Sequence, residues 1–275
     1  MKDDDIRKAV REGYGRIASQ SDSCCGADAQ ASSCCGPETS CGCGSSADTF
    51  SKVMGYTDSE LGAIPDGANL GLGCGNPTAL ASLKEGEVVL DLGSGAGIDC
   101  FLAARAVGQN GKVIGVDMTP AMLERARENA QKSDFDNVEF RLGEIEHMPV
   151  ADNSVDVIIS NCVINLSPDK KQVFSEAYRV LKPGGRIMVS DIVLLKELPD
   201  DIKDSIDAYV GCVAGADTKE NYLATIESAG FKDVKTVGEL STKGMWSSID
   251  DTEANQVIDT ISSSISSLKV SATKS

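Results

Sequence analysis

The residues best suited to chemistry in this chain are thiols. It carries ten cysteines and one histidine, His147. Three of the cysteines stand alone in three distant segments: Cys74 in GLGCGNP, Cys162 in SNCVINLSP and Cys212 in YVGCVAGA. None of these three has the C-x-x-C spacing of a zinc ribbon or a thioredoxin-type pair. They suit instead a soft, thiophilic centre that takes three sulfur ligands. Cys74, with glycine on both sides, is expected to be exposed on a pliable loop. Cys212 ends a helix among small residues that leave room for something bulky. Cys100, in IDCFLAARA, reads as an ordinary core residue. A single histidine gives a Ser-His-Asp triad little to draw on, and His147, in GEIEHMPV, reads as a loop side chain.

The other cysteines, apart from Cys100, crowd into SDSCCGADAQASSCCGPETSCGCGSSA: Cys24, Cys25, Cys34, Cys35, Cys41 and Cys43. That stretch is Cys, Gly, Ser and Ala with almost nothing to bury, so it reads as a flexible tract or a metal-organised loop. The N-terminal MKDDDIRKAVREGYGRIASQ has no uninterrupted apolar run, so no secretory signal is expected. No window approaches the roughly 20 apolar residues of a spanning helix. A cytoplasmic protein with no membrane partner is expected, and in that reducing setting cysteines serve metal binding, catalysis or redox work. A net charge of -16 over 275 residues argues against nucleic acid as a partner. The chain is expected to be a monomer.

A second region with chemical content is VVLDLGSGAGID. A dinucleotide fingerprint needs glycine where Ile98 stands; the glycines here are Gly93, Gly95 and Gly97, with Asp91 ahead of them. This pattern resembles the D-x-G-x-G-x-G loop of class I S-adenosylmethionine (SAM)-dependent methyltransferases. The resemblance implies SAM as methyl donor, held by Asp91, Gly93, Ser94, Gly95 and Gly97. It places Asp117, with Met118 beside it, at the ribose hydroxyls, and Glu144, Ile145 and Glu146 at the adenine. Asn161 joins the cofactor set, and Cys162, just after the fourth strand, falls beside the reactive methyl.

The elements that must position these groups alternate from residue 86 onward: strands EVVLDLG, KVIGVDM, NVEFRLG, VDVIISN and GRIMVSDIV, with helices such as IDCFLAARAVG and PAMLERARENAQKS between them. That alternation predicts a parallel sheet covered on both faces. Asn76-Pro77, Thr119-Pro120 and Ser167-Pro168 each place a capping side chain before a proline suited to a first helical turn. Residues 3–18 predict a short helix. After residue 196 come helical stretches, the strand FKDVKTVG, and a stretch over 250–275 expected to be helical with a frayed Ser-rich tail. The expected fold is thus α/β: a class I SAM-methyltransferase (Rossmann-like) doubly wound, mostly parallel sheet, with a Cys-rich N-terminal segment and a small C-terminal helical/strand extension. Its divisions are 1–75 (helix, Cys-rich tract and substrate loop), 76–195 (SAM-binding core) and 196–275 (substrate-binding extension).

Taken together, SNCVINLSPDKKQVFSEAYRVLKPGG, GLGCGNP and GCVAGA resemble the arsenite SAM methyltransferases over roughly residues 8 to 240. The resemblance implies transfer of methyl groups to arsenite and methylarsenite, with Cys74, Cys162 and Cys212 as ligands of trivalent arsenic. It also implies a redox cysteine after the first helix, Cys24 or Cys25, that pairs with the cysteine of the GCG loop, and a reductant, thioredoxin or glutathione. Because arsenic is bound as thiolate and a free thiol has a pKa of about 8.5, arsenite binding is expected to strengthen from pH 6 to 8. Two rivals explain part of the sequence: a methyltransferase for carbon or oxygen of a quinone-type small molecule, and a thiol-rich protein that sequesters soft metals without turnover.

Overall fold

Short aliphatic, β-branched runs form the strands, and the amphipathic runs between them pack against the sheet. The structure, a computed structural model, describes residues 2–19, 46–203, 205–241 and 261–275. Its strands are β1 Val88–Leu92, β2 Lys112–Asp117, β3 Val138–Leu142, β4 Val155–Asn161, β5 Leu181–Leu194, β6 Asp217–Thr218, β7 Lys232–Ser241 and β8 Ile265–Thr273. They form one sheet in the order β3-β2-β1-β4-β5-β8-β7, with β6 also paired to β5. Strands β1 to β5 run parallel, while β8 is antiparallel to both of its neighbours. This is the expected doubly wound α/β sheet.

Parallel strands with both faces covered read as near-continuous apolar runs, and β1 and β4 are buried along almost their whole length. Helices Ile98–Val107 and Pro120–Lys132 cover one face, with Phe101, Leu123 and Val157 in its core. Helices Lys170–Val180 and Lys219–Ser228 cover the other, around Phe174, Tyr222 and Ile226. Strand order reverses between β1 and β4. In such sheets the crevice beyond the carboxyl ends of the strands at this switch point is the natural place for a ligand.

The helix starts partly follow the sequence. Asn76 caps Pro77–Leu80 by accepting from the Ala79 N–H. Thr119 precedes Pro120, yet its side chain makes no cap bond. The third expected cap shifts by two residues. Ser167 before Pro168 is held extended, so the helix begins at Lys170 and Asp169 accepts from the Gln172 N–H at 3.0 Å. The Ser167 hydroxyl instead donates to Glu146 at 2.7 Å.

The expected frayed tail is corrected. Residues 265–273 are a strand wedged between β5 and β7, in register from Leu194↔Ile265 to Arg186↔Thr273. Leu268, Val270 and Ala272 enter the core. The serines that suggest fraying are small enough for a crowded face, and their hydroxyls find carbonyls: Ser267 donates to Cys74 O at 2.5 Å and Ser266 to Leu240 O at 3.2 Å. The part of that expectation falling on 250–260 lies outside the described residues. Among the described residues no helix is long and apolar enough to cross a membrane.

Candidate active site

A cleft enclosing about 1070 Å³, part of it open to solvent, lies at the carboxyl ends of β1, β2, β3 and β4. Asp91 reaches it from the end of β1, Gly93, Ser94 and Gly95 from the turn that follows, and Asp117 and Met118 from the end of β2. Ile145 and Glu146 arrive from beyond β3, Asn161 and Cys162 from the end of β4. Two of the residues assigned to the cofactor by sequence are not part of its wall. Gly97 has φ +101° at the start of helix Ile98–Val107, and a Cβ there would sit 2.6 Å from the Phe101 ring, so its glycine serves packing. Glu144 faces outward to Arg7 at 3.6 Å and Arg11 at 3.4 Å. Gly95 is the contrast: nothing lies within 4 Å of where its Cβ would be, and its N–H donates to Asp117 Oδ2 at 3.0 Å.

The wall is acidic, and its carboxyl groups are buried. Burial, followed by the charge of Asp99, pushes the Asp91 carboxyl well above its usual range, and the Cys100 thiol donates to it at 3.2 Å. Burial also raises Asp99, against the pull of hydrogen bonds from Asn161, Tyr56 and Thr78. Asp117 is raised by burial as well, with the N–H groups of Thr119 and Gly95 pulling it down. Arg7, a basic side chain on this wall, already pairs with Glu146 at 3.3 Å. Buried carboxylates left without a cation are costly, so the cleft favours a positively charged guest. Ser94 Oγ is buried with no hydrogen-bond partner among the described residues, a second sign that a polar ligand belongs here.

The three isolated thiols come together beside this cleft. Cys74, Cys162 and Cys212 share one buried cluster with Val10, Leu166 and Ile192. The expectation of an exposed Cys74 is overturned: it is 5% exposed, its thiol donating to Ser190 O at 3.3 Å and its N–H to Asn161 Oδ1 at 2.9 Å. The Cys162 N–H extends the ladder one residue past β4, donating to Ser190 O at 2.8 Å. The chain then turns sharply, Cys162 taking φ +61°. β6 pairs with β5 beyond the point where β4 stops, which brings the preceding loop and Cys212 over Cys162. Cys212 also has a left-handed φ of +64°, and its thiol donates to Cys162 O at 2.8 Å. Non-glycine residues seldom adopt that conformation, and two of the gathered thiols do.

Cys162 is the middle group, within sulfur hydrogen-bonding reach of both other thiols. The bond with Cys212 lowers its pKa, but the bond with Cys74 and burial together carry it well above the usual thiol value. Cys212 is raised by its bond with Cys162 and then by burial, and Cys74 chiefly by burial. All three are therefore neutral thiols at pH 7. Among the described residues no three His, Cys, Asp or Glu groups stand as a finished metal-ligand set, so the sulfurs are gathered rather than closed into a cage. Cys100 is core, as expected, with the added bond to Asp91. Cys24, Cys25, Cys34, Cys35, Cys41 and Cys43 lie outside the described residues, and His147 is exposed.

Sequence reasoning missed a polar hub joining the two halves. Asn161 Nδ2 reaches Asp99 Oδ2 at 3.0 Å and the Tyr56 hydroxyl at 2.9 Å, while Tyr56 donates to Asp99 Oδ1 at 2.8 Å. Asp99 could have been singled out as an acid two residues beyond the last glycine of the loop. Tyr56 lies in no motif. Helix Asp3–Ser19, read only as an amphipathic segment, contributes Arg7, Val10 and Tyr14 to the cleft, and the Tyr14 hydroxyl lies 4.0 Å from Cys212 Sγ.

Residues 83–230 match the family described as methyltransferase domain. An arsenite methyltransferase of Halobacterium salinarum is 51% identical over 232 residues, covering 84% of this chain and 59% of that protein. The X-ray structure of an arsenic (III) S-adenosylmethionine methyltransferase from Chlamydomonas reinhardtii superposes with a TM-score of 0.61 at 34% identity, covering 81% of this chain and 71% of that one. A demethylmenaquinone methyltransferase of Lactococcus lactis is 30% identical over 170 residues, covering 60% of this chain and 68% of that protein. The chain spans less than two thirds of the length of the arsenite methyltransferase from Halobacterium.

Proposed function

We propose that this chain, which belongs to the methyltransferase domain family and within it to the arsenite S-adenosylmethionine methyltransferases, methylates trivalent arsenic held by Cys74, Cys162 and Cys212. The observation that carries the reading is the convergence of three buried thiols from distant segments on a cluster whose middle member also lines an acidic cleft. The cleft suits the proposed donor. Asp91 and Asp99 answer a cationic ammonium, Asp117 answers paired hydroxyls, and Ile145 offers an apolar surface to a base. When bound, S-adenosylmethionine supplies an electrophilic methyl group on a positively charged sulfur.

The protein's own part is to bind and orient. Neutral arsenous acid condenses with three thiols, As(OH)₃ + 3 RSH → As(SR)₃ + 3 H₂O, so each leaving hydroxide takes the proton of the incoming thiol. The arsenic keeps its lone pair, which becomes the new As–C bond when the methyl–sulfonium bond breaks. That nucleophile carries no proton, so no general base is needed beside the thiols. Holding the two reactants in line can remove up to about 7–11 kcal/mol of the barrier in ideal cases. Methylarsenite retains two hydroxyls and so engages two thiols, and methylated arsenicals are the products.

Forming the As–C bond oxidises arsenic by two electrons. Two cysteine thiols can return them by forming a disulfide and releasing two protons, and we assign this step to Cys24 or Cys25 with a thiol of the site as partner. Thioredoxin or glutathione then reopens the disulfide by thiol exchange.

The test is purified protein incubated with S-adenosylmethionine, arsenite and a thiol reductant, with the arsenic species separated chromatographically, for the wild type and Cys162→Ser. Methylated arsenicals from the wild type alone are expected. Arsenite retention without methylated product would support a sequestering protein. Undiminished turnover by Cys162→Ser would return the reading to a quinone-type methyltransferase.

A further inference from the structure

Two ionisable side chains sit beneath the thiol cluster without lining the cleft. Lys170 begins the helix Lys170–Val180, and Asp191 lies near the carboxyl end of β5, fully buried. Charged groups removed from water are costly, so a fold keeps them where they hold something in place. Each of these two is tied to a different thiol-bearing loop.

Lys170 Nζ donates to the carbonyl of Gly215 at 2.7 Å. Gly215 lies three residues past Cys212 in the same loop, and it is pressed so closely on the Asn165 carbonyl that a Cβ there would collide with it. Asn165 belongs to the 3-10 turn Ile164–Leu166 that immediately follows the Cys162 corner. Asp191 lies against that turn: its Oδ2 accepts the Tyr222 hydroxyl at 2.8 Å, its buried Oδ1 has no hydrogen-bond partner among the described residues, and the nearby N–H groups of Ile164 and Asn165 draw its pKa down against burial. Asn165 Nδ2 adds a bond to Ile192 O at 2.6 Å, fastening the turn to β5 a second time. Lys170 and Asp191 sense one another across the gap between the loops, each offsetting part of what burial does to the other's pKa.

We propose that Lys170 and Asp191 are positioning residues of the thiol site: Lys170 suspends the Cys212 loop through Gly215, and Asp191 seats the turn that presents Cys162. Two of the three sulfur arms are thus fixed by two ionisable side chains that stand outside the cleft wall. The purpose of this arrangement rests on the arsenic reading, but the loop placement it describes is measurable without arsenic.

The experiment uses the full chain, with Lys170→Met and Asp191→Asn, and follows alkylation of Cys74, Cys100, Cys162 and Cys212 by iodoacetamide, residue by residue, in a mass spectrometer. Labelling of a buried thiol reports local opening of the segment that carries it. In Lys170→Met, Cys212 is expected to label about tenfold faster or more, the factor that a hydrogen bond to a charged group is worth, while Cys74 and Cys100 keep their rates. In Asp191→Asn the faster thiol is expected to be Cys162. Binding of S-adenosylmethionine should stay within about twofold of wild type in both, and arsenite retention in equilibrium dialysis should fall by about tenfold. If Asp191→Asn fails to fold, Tyr222→Phe, which removes one bond to the same carboxylate, replaces it. Unchanged Cys212 labelling in Lys170→Met overturns the proposal, and so does a rise in Cys100 that keeps pace, because that marks general loosening. The expected labelling in the variants, together with a wild type that retains no arsenite, would defeat the arsenic reading and leave the positioning roles intact.

Discussion

The acidic cleft and the thiol cluster meet at Cys162 but are built in different ways. The cofactor side of the cleft is built from the ends of parallel strands and the turns after them, and its key groups are few residues apart: Asp91 to Gly95 at the end of β1, Asp117 and Met118 at the end of β2. The cluster is assembled from loops whose cysteines lie far apart in the chain, and two of the three adopt a left-handed backbone. In the cleft, electrostatics are left unsatisfied for a guest to complete. In the cluster, each thiol already has a local partner, and the proposed arsenic binding would exchange those partners for the semimetal. A preformed polar cavity and a loop-borne sulfur trap are therefore expected to fail independently when altered.

The sharpest way to break that contrast is to alter one side and read both. Cys162→Ser, and likewise Cys74→Ser or Cys212→Ser, should lower arsenite affinity by at least about a hundredfold, since losing one arm of a chelate forfeits its effective concentration. S-adenosylmethionine affinity, read by calorimetry, should hardly change. Equal losses on both sides would mean that the two sites are one. From the other side, Asp117→Asn removes a charged acceptor facing the cleft, and cofactor affinity should fall about tenfold or more while arsenite retention holds.

A pH series separates the two by mechanism. The expectation that arsenite binding strengthens from pH 6 to 8 is revised, because the three thiols are pushed up and stay protonated throughout that range. Thiol and arsenous acid exchange their protons for water, so the equilibrium affinity should be flat across it. The association rate should still climb with pH, because thiolate is the attacking form. Stopped-flow and dialysis on the same samples would expose a disagreement.

Asp191 gives a smaller signal of defined sign. Burial pushes its carboxyl up to about 7. The folded chain thus holds a proton that the unfolded chain releases near 3.9, and this favours folding at low pH. The contribution fades as pH rises from about 4 through 7, so wild type should lose melting temperature relative to Asp191→Asn over that interval; parallel profiles would refute it. Smallest of all, Asp169→Ala removes the cap of helix Lys170–Val180 and should cost about 1 kcal/mol of stability on denaturant titration, with methyl transfer retained.

What was legible in the sequence follows the same division. Strands β1 to β5 announced themselves through apolar runs because both of their faces are covered, and the glycine loop followed from the turn it must make. Asp91, Asp117 and Asn161 sit where strand ends place them. Cys74 was misjudged because flanking glycines suggest openness, whereas here they let the backbone lie close to Asn161 and Ser190. Tyr56 and Tyr14 carried no local signal, since their roles come from segments that meet only in the folded chain. The serines of β8 misled because composition is blind to a hydroxyl that finds a carbonyl across the sheet.

That strand sets a condition on synthesis. The sheet leaves a slot between β5 and β7 until residues 265–273 arrive, and the hydroxyl that steadies the Cys74 carbonyl comes with them. A nascent chain that has already displayed every described thiol still lacks a wall of its sulfur pocket. On the proposed function, fragments cut short of this segment should therefore retain less arsenite than the full chain.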